Sequence, residues 1–69
     1  MRRIPVESTS LKSIGYLENE LRLEVEFTGG KVYDYFGLPL NIHTALMNAE
    51  SKGAFFNDIV KAQYRFEQR

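Results

Sequence analysis

The chain has 69 residues, which makes one domain with a thin core, because a chain of this size buries only about 60% of the surface its unfolded form exposes. It has no cysteine, which excludes disulfide stapling, zinc–thiolate sites and cysteine nucleophiles. Nine basic and nine acidic groups cancel to a formal net charge of zero, a weak starting point for a nucleic-acid binder.

Residues 1–9 read as an extended lead-in. Pro5 prevents a helix there and confines any strand to an edge. Two arginines follow Met1 without an apolar stretch behind them, so the start is not a secretory signal, and a cytoplasmic location is the expectation. Ser8, Thr9 and Ser10 predict a bend. A strand over Leu11–Leu17 follows, with Ile14 and Tyr16 on one face and Gly15 on the other as the candidate for a bulge. Glu18-Asn19 supplies turn chemistry.

The stretch Leu21–Pro39 organises the rest. Leu21, Leu23, Val25 and Phe27 alternate with Arg22, Glu24, Glu26 and Thr28, the period of a strand with one buried face. Gly29-Gly30 permits the positive φ of a tight hairpin. A two-residue loop would place Val32, Asp34 and Phe36 beside Leu23 and Val25. A three-residue loop, Thr28-Gly29-Gly30 with Gly30 as a left-handed bulge, places Tyr33 and Tyr35 there instead. Because a carboxylate buried in an apolar face costs several kcal/mol, the three-residue loop is the expected one, with both tyrosines turned toward the core.

Gly37 and Pro39 end the third strand, and Pro39 suits the first turn of a helix. Ile42, Ala45, Leu46 and Ala49 follow i, i+3, i+4, i+7 spacing and predict a helix over residues 39–51, with Gly53 as its stop. A shorter helix is expected from Ala54 to Val60 or Ala62, apolar through Phe55, Phe56, Ile59 and Val60. Asn57 is placed to hydrogen-bond the Ser51–Gly53 connection. In the tail, 63–69, Tyr64 and Phe66 alternate with Arg65 and Glu67, which fits either a short closing strand or a segment lying along the domain. The fold class expected is α+β, a single domain over 1–69: a three-stranded antiparallel meander with two short helices packed on one face. The other face, with Arg22, Glu24, Glu26 and Asp34, is expected to stay wet.

Charge is unevenly distributed. Residues 4–60 carry four basic groups (Lys12, Arg22, Lys31, Lys52) against eight acidic ones. Arg2 and Arg3 at one end, and Lys61, Arg65 and Arg69 at the other, are placed to form one basic patch if the termini meet. For catalysis the chain offers a single histidine, His43, with no nucleophile elbow, glycine-rich phosphate loop or paired metal-ligand spacing. The expectation is therefore no enzyme, no metal and no cofactor. No apolar run approaches the ~18–20 residues of a membrane span.

The order of these segments resembles the KTSC domain family, short bacterial and phage domains also found at the C-terminus of some lysyl-tRNA synthetases. The resemblance runs through Val6-Glu7-Ser8, Ile14-Gly15-Tyr16, Leu23-Glu24-Val25-Glu26-Phe27, Gly30 and the Tyr-x-Tyr of Tyr33-Asp34-Tyr35. Leu38-Pro39 stands where the family usually has Val-Pro, and His43 where it tends to an aromatic. Leu46 to Ile59 is similar to the family's A-x-S-x-G-x-[YF]-F-N-x-x-I, and Tyr64 closes the match. Gly30, Pro39, Gly53, Phe56 and Asn57 are read as structural. The resemblance implies a small non-enzymatic binding module, with RNA or tRNA as the partner by association with a tRNA-charging enzyme. Lys52, Lys61, Arg65 and Arg69, with Tyr33 and Tyr35 as stacking rings, are the candidate nucleic-acid contacts. The alternative is a protein-interaction module acting through a sheet edge or an aromatic surface.

Overall fold

The computed structural model describes residues 3–69. Five antiparallel strands lie in chain order across one sheet: β1 (Ile4–Pro5), β2 (Leu11–Leu17), β3 (Arg22–Phe27), β4 (Val32–Phe36) and β5 (Arg65–Gln68). Between β4 and β5 the chain crosses one face as helix α1 (Leu40–Asn48), then α2 (Lys52–Phe55), a π-helical turn (Phe56–Val60) and α3 (Lys61–Gln63). The α+β class stands, but the meander has five strands where three were expected. Both additional strands are the chain's ends. Pro5 sits at the sheet edge, where its missing N–H breaks no ladder, and the tail takes the strand alternative by pairing Tyr35 with Phe66. No helix among the described residues is long and apolar enough to cross a membrane.

The central hairpin has the three-residue loop. Val25 faces Tyr33 and Leu23 faces Tyr35, and the Phe27 N–H donates to the Lys31 carbonyl at 2.8 Å. Gly29 and Gly30 both take positive φ, 109° and 97°, which an L side chain rarely adopts. Tyr35 is consequently buried at 2% exposure, while Tyr33 is half-buried. Leu21 departs from the expectation. The strand starts one residue later, because Leu21 closes the Glu18–Glu20 turn in the left-handed region (φ 51°) and stays exposed. The bulge of β2 lies at Lys12, between Leu11 and Ser13, and not at Gly15, which pairs regularly with Glu24.

Leu11, Ile14, Leu23, Val25 and Tyr35 of the sheet close on Leu38, Leu46, Phe56 and Val60 to form the core. Phe56 is its largest fully buried side chain, meeting Phe27 and Tyr35 edge-on at centroid distances of 5.4 and 5.1 Å. Helix α1 stops at Asn48, three residues short of the expected end, and Gly53 does not stop it. The Ser51 hydroxyl instead caps a new helix, accepting from the Ala54 N–H at 3.2 Å. Gly53 lies inside that helix, where a Cβ would meet the Ser10 Oγ at 2.8 Å. Asn57 was expected to tie this connection, but it is exposed and makes no side-chain hydrogen bond with the described residues. Ser51 does the work itself.

The outer face is not wet at its centre. Glu24 and Asp34 are 3% and 8% exposed, cross-strand neighbours on a face away from the apolar core. Arg3 reaches Glu24 at 2.7 Å from one end of the chain. Arg69 reaches it from the other and holds Asp34 at 3.0 Å through Nε. Buried carboxylates need such partners. The hydrogen bond to Asp34 in turn raises the Arg69 guanidinium above its ordinary pKa.

Candidate nucleic-acid interface

The two basic ends do meet, but as paired charges. Arg3 and Arg69 converge on Glu24, and Arg2 lies outside the described residues. Arg65 sits on the same outer face with its guanidinium over the Phe36 ring, 5.1 Å from the centroid. Lys52 is elsewhere again, its Nζ donating to the Ala49 carbonyl at 3.3 Å at the C-terminal end of helix α1. The candidate cations are thus split over three places.

The remaining candidates, Lys61, Tyr33 and Tyr35, are brought together on the helix side of the sheet. They line an open cleft of about 480 Å³ with Phe27, Thr28, Gly29, Lys31 and Phe66. Each wall follows from the local fold. The β3–β4 hairpin contributes Phe27, Thr28, Gly29 and Lys31. Strand β4 presents the two tyrosines on the core side because of the loop register. Strand β5 brings Phe66 beside Tyr35, and α3 adds Lys61 from above. The rings form one packed set: Phe27 meets Tyr33 edge-on at 5.3 Å, and Phe66 lies tilted against Tyr33 and Tyr35 at 5.7 and 5.5 Å. Phe66 is 51% exposed, so much of its ring is open to a ligand. Burial raises the Tyr35 phenol above its usual pKa, with the neighbouring Tyr33 adding to the shift, so it remains a neutral donor at physiological pH. The Tyr33 hydroxyl donates to Gln68 Oε1 at 3.3 Å.

Both charged residues of this lining are lysines, and no carboxylate is among them. Lys31 and Lys61 are exposed and enter no salt bridge among the described residues. Lys31 and Phe66 were not singled out in the sequence. The only available hint was Lys31 directly after the glycine pair, since no local pattern sets it beside Phe66 and Lys61.

A second cleft, of about 510 Å³, gathers Glu7 to Ser10, Glu50 to Ala54 and Asn57. The Ser8 hydroxyl accepts from the N–H groups of Ser10 and Leu11, Ser51 caps a helix and Gly53 admits Ser10. Three of its motif residues therefore have a structural task. Among the described residues no cluster of His, Cys, Asp and Glu is arranged to hold a metal ion.

Comparison with known proteins places this architecture. The KTSC domain family model matches residues 7–64. The chain belongs to the KTSC domain family. A KTSC domain protein of Yersinia pestis, solved by crystallography, superposes with a TM-score of 0.93 at 36% identity, over 99% of this chain and 96% of that one. An uncharacterised protein of Stutzerimonas stutzeri is 42% identical over 96% of this chain and 94% of its own length. A lysine–tRNA ligase of Nostoc punctiforme is 39% identical over 90% of this KTSC domain, which corresponds to 11% of the ligase. A KTSC domain thus occurs both as a protein of about this size and as a small part of a tRNA ligase.

Proposed function

We propose that this KTSC domain is a small non-enzymatic module that binds RNA in the cytoplasm through the cleft between the β3–β4 hairpin, strand β5 and α3. The observation that carries the reading is the make-up of that cleft: aromatic rings backed by the core, with Lys31 and Lys61 as its charged groups. Rings take bases on their faces, and cations hold the phosphate backbone. The match to a segment of a lysine–tRNA ligase supports RNA as the partner. An aromatic floor flanked by lysines fits binding of a ligand rather than its turnover. No cofactor is needed for it.

Titration with a short labelled RNA at low and at high salt tests the reading. Binding is expected at low salt, weakened by salt, and lost in the Lys31→Gln, Lys61→Gln double variant. Unchanged affinity in that variant overturns the assignment of the cleft. An acidic, aromatic peptide that binds where RNA does not would assign the same cleft to a protein partner. A second reading, docking of a protein along the sheet edge, is favoured by β5, whose four residues are all exposed at the end of the strand order.

A further inference from the structure

We infer that the cleft takes one unpaired nucleotide, its base stacked on Phe66 and its flanking phosphates held by Lys31 and Lys61. The inference rests on the RNA reading and narrows it to single-stranded RNA.

Three observations lead there. First, the cleft is a single open depression lined by eight residues. Its volume of about 480 Å³ falls in the range of about 300–1,000 Å³ typical of sites for a single small ligand. Second, its rings are unequal. Tyr35 is buried beneath the others, and Tyr33 and Phe27 are half-buried and packed edge-on. Phe66 alone among them stands half-exposed, braced from behind by both tyrosines. A base therefore finds one platform. Third, the two lysines come from different elements, one from the hairpin and one from α3, so the platform lies among cations of separate walls. Nearby arginines do not extend the cleft, because Arg65 lies over Phe36 and Arg69 on Glu24 and Asp34, both on the other face of the sheet.

Paired RNA does not fit these features. Double-stranded RNA is recognised by shape, through phosphate and 2′-hydroxyl contacts spread over about 16 bp, and its bases are not free to stack on a side chain. A cleft with two lysines offers too few cations for a surface of that extent. A base splayed out of a loop or a single strand presents the π-face that Phe66 accepts, and stacking of this kind tolerates any base. The site is thus expected to distinguish unpaired from paired RNA while reading little sequence.

The test compares three RNAs with the same total number of nucleotides: a single strand, a hairpin with an unpaired loop, and a fully paired duplex. The intact protein is titrated with each by fluorescence anisotropy over a range of salt. The single strand and the loop are expected to bind at least about tenfold more tightly than the duplex. The slope of log affinity against log salt should be about −1.4, from about 0.7 for each of two phosphates on a single strand. Phe66→Ala should weaken binding by roughly 5- to 150-fold, the range for loss of one base–ring stack. Phe66→Trp should retain binding. Phe66→Leu keeps an apolar plug in the sheet, so a variant with wild-type thermal unfolding and lost affinity isolates stacking from folding. Equal affinity for duplex and single strand, or full affinity in Phe66→Leu, overturns the unpaired-nucleotide assignment. If the lysine double variant is still weakened in that case, the RNA reading survives it. Failure of all three RNAs to bind at low salt removes both.

Discussion

On the outer face of the sheet Arg3 and Arg69 lie against Glu24 and Asp34, whereas on the helix side Lys31 and Lys61 line a cleft that contains no carboxylate. The first pair of cations cannot turn to a phosphate without leaving buried carboxylates unpaired, an arrangement a folded protein avoids. The second pair has no such tie. A chain with a net charge of zero can therefore still expose a local cationic site, provided its acids are neutralised elsewhere. What locates the site is the pairing state of each cation and not the density of basic residues along the chain. The two faces also differ in what they do for the fold. The inner one supplies the apolar burial, and the outer one fastens both ends of the chain to the middle of the sheet.

The strongest way to break this division is to attack the inner face. Phe56 is 1% exposed and is the contact shared by Phe27, Tyr35 and the helices. Phe56→Ala should cost about 3–5 kcal/mol. Stability of about 0.05–0.15 kcal/mol per residue gives a 69-residue domain about 3.5–10 kcal/mol in all, so the loss removes from about a third to the whole of it. Urea unfolding should show a midpoint lowered by at least about a third. A loss below about 1 kcal/mol would mean that the ionic face, and not the core, holds the domain together.

The core was the more legible of the two faces in the sequence. Period-two alternation placed Leu23 and Val25 correctly, and the cost of burying Asp34 among them selected the loop register that the hairpin has. The same reasoning left Asp34 and Glu24 in water, and there it failed. Their partners stand at the two ends of the chain, and nothing local to Glu24 announces Arg3 or Arg69. The terminal strands were obscure for two reasons: β1 has only two residues, too few to show a period, and β5 is fixed by β4, far earlier in the chain. The helix boundary at Asn48 was legible in principle through the Ser51 cap, but Gly53 carried the stronger apparent stop signal. Its role is close packing against Ser10, a tertiary contact. Of the cleft, the tyrosines and Lys61 were found from residue type. Lys31 and Phe66 emerge only once the hairpin and β5 are set beside them.

A more selective experiment separates the two kinds of cation. Arg69→Gln should lower the melting temperature, because Asp34 and Glu24 lose a shared partner. Any loss of RNA affinity would come through loosening of β5, and the salt dependence of binding should stay as in the wild type. The Lys31→Gln, Lys61→Gln double variant should do the reverse. Its melting temperature should be unchanged, since exposed lysines without carboxylate partners contribute little to stability, and the salt slope should fall by about 1.4. The distinction collapses if Arg69→Gln flattens the salt slope while remaining folded, because Arg69 would then be contacting phosphate.

The smallest effect expected concerns the one histidine, which belongs to neither set of cations. His43 on α1 stacks on Tyr16, ring centroids 4.4 Å apart and planes 8° from parallel, and the Tyr16 hydroxyl donates to the Leu38 carbonyl at 2.5 Å. Burial holds the imidazole below its ordinary pKa of 6.5, so the folded chain resists a proton that the unfolded chain accepts. Between the two values the unfolded state binds more protons, and stability falls as pH falls. The contribution of the neutral ring is thus fully present above about pH 6.5 and is lost as the pH drops through that value toward the lower folded pKa. His43→Phe keeps an aromatic plane on Tyr16 and removes the titration. The difference in melting temperature between variant and wild type should be constant above neutrality and widen in favour of the variant toward about pH 5. A difference that stays flat over that range would show that His43 takes up its proton as easily when folded as when unfolded, and that the stack on Tyr16 leaves the ring open to water.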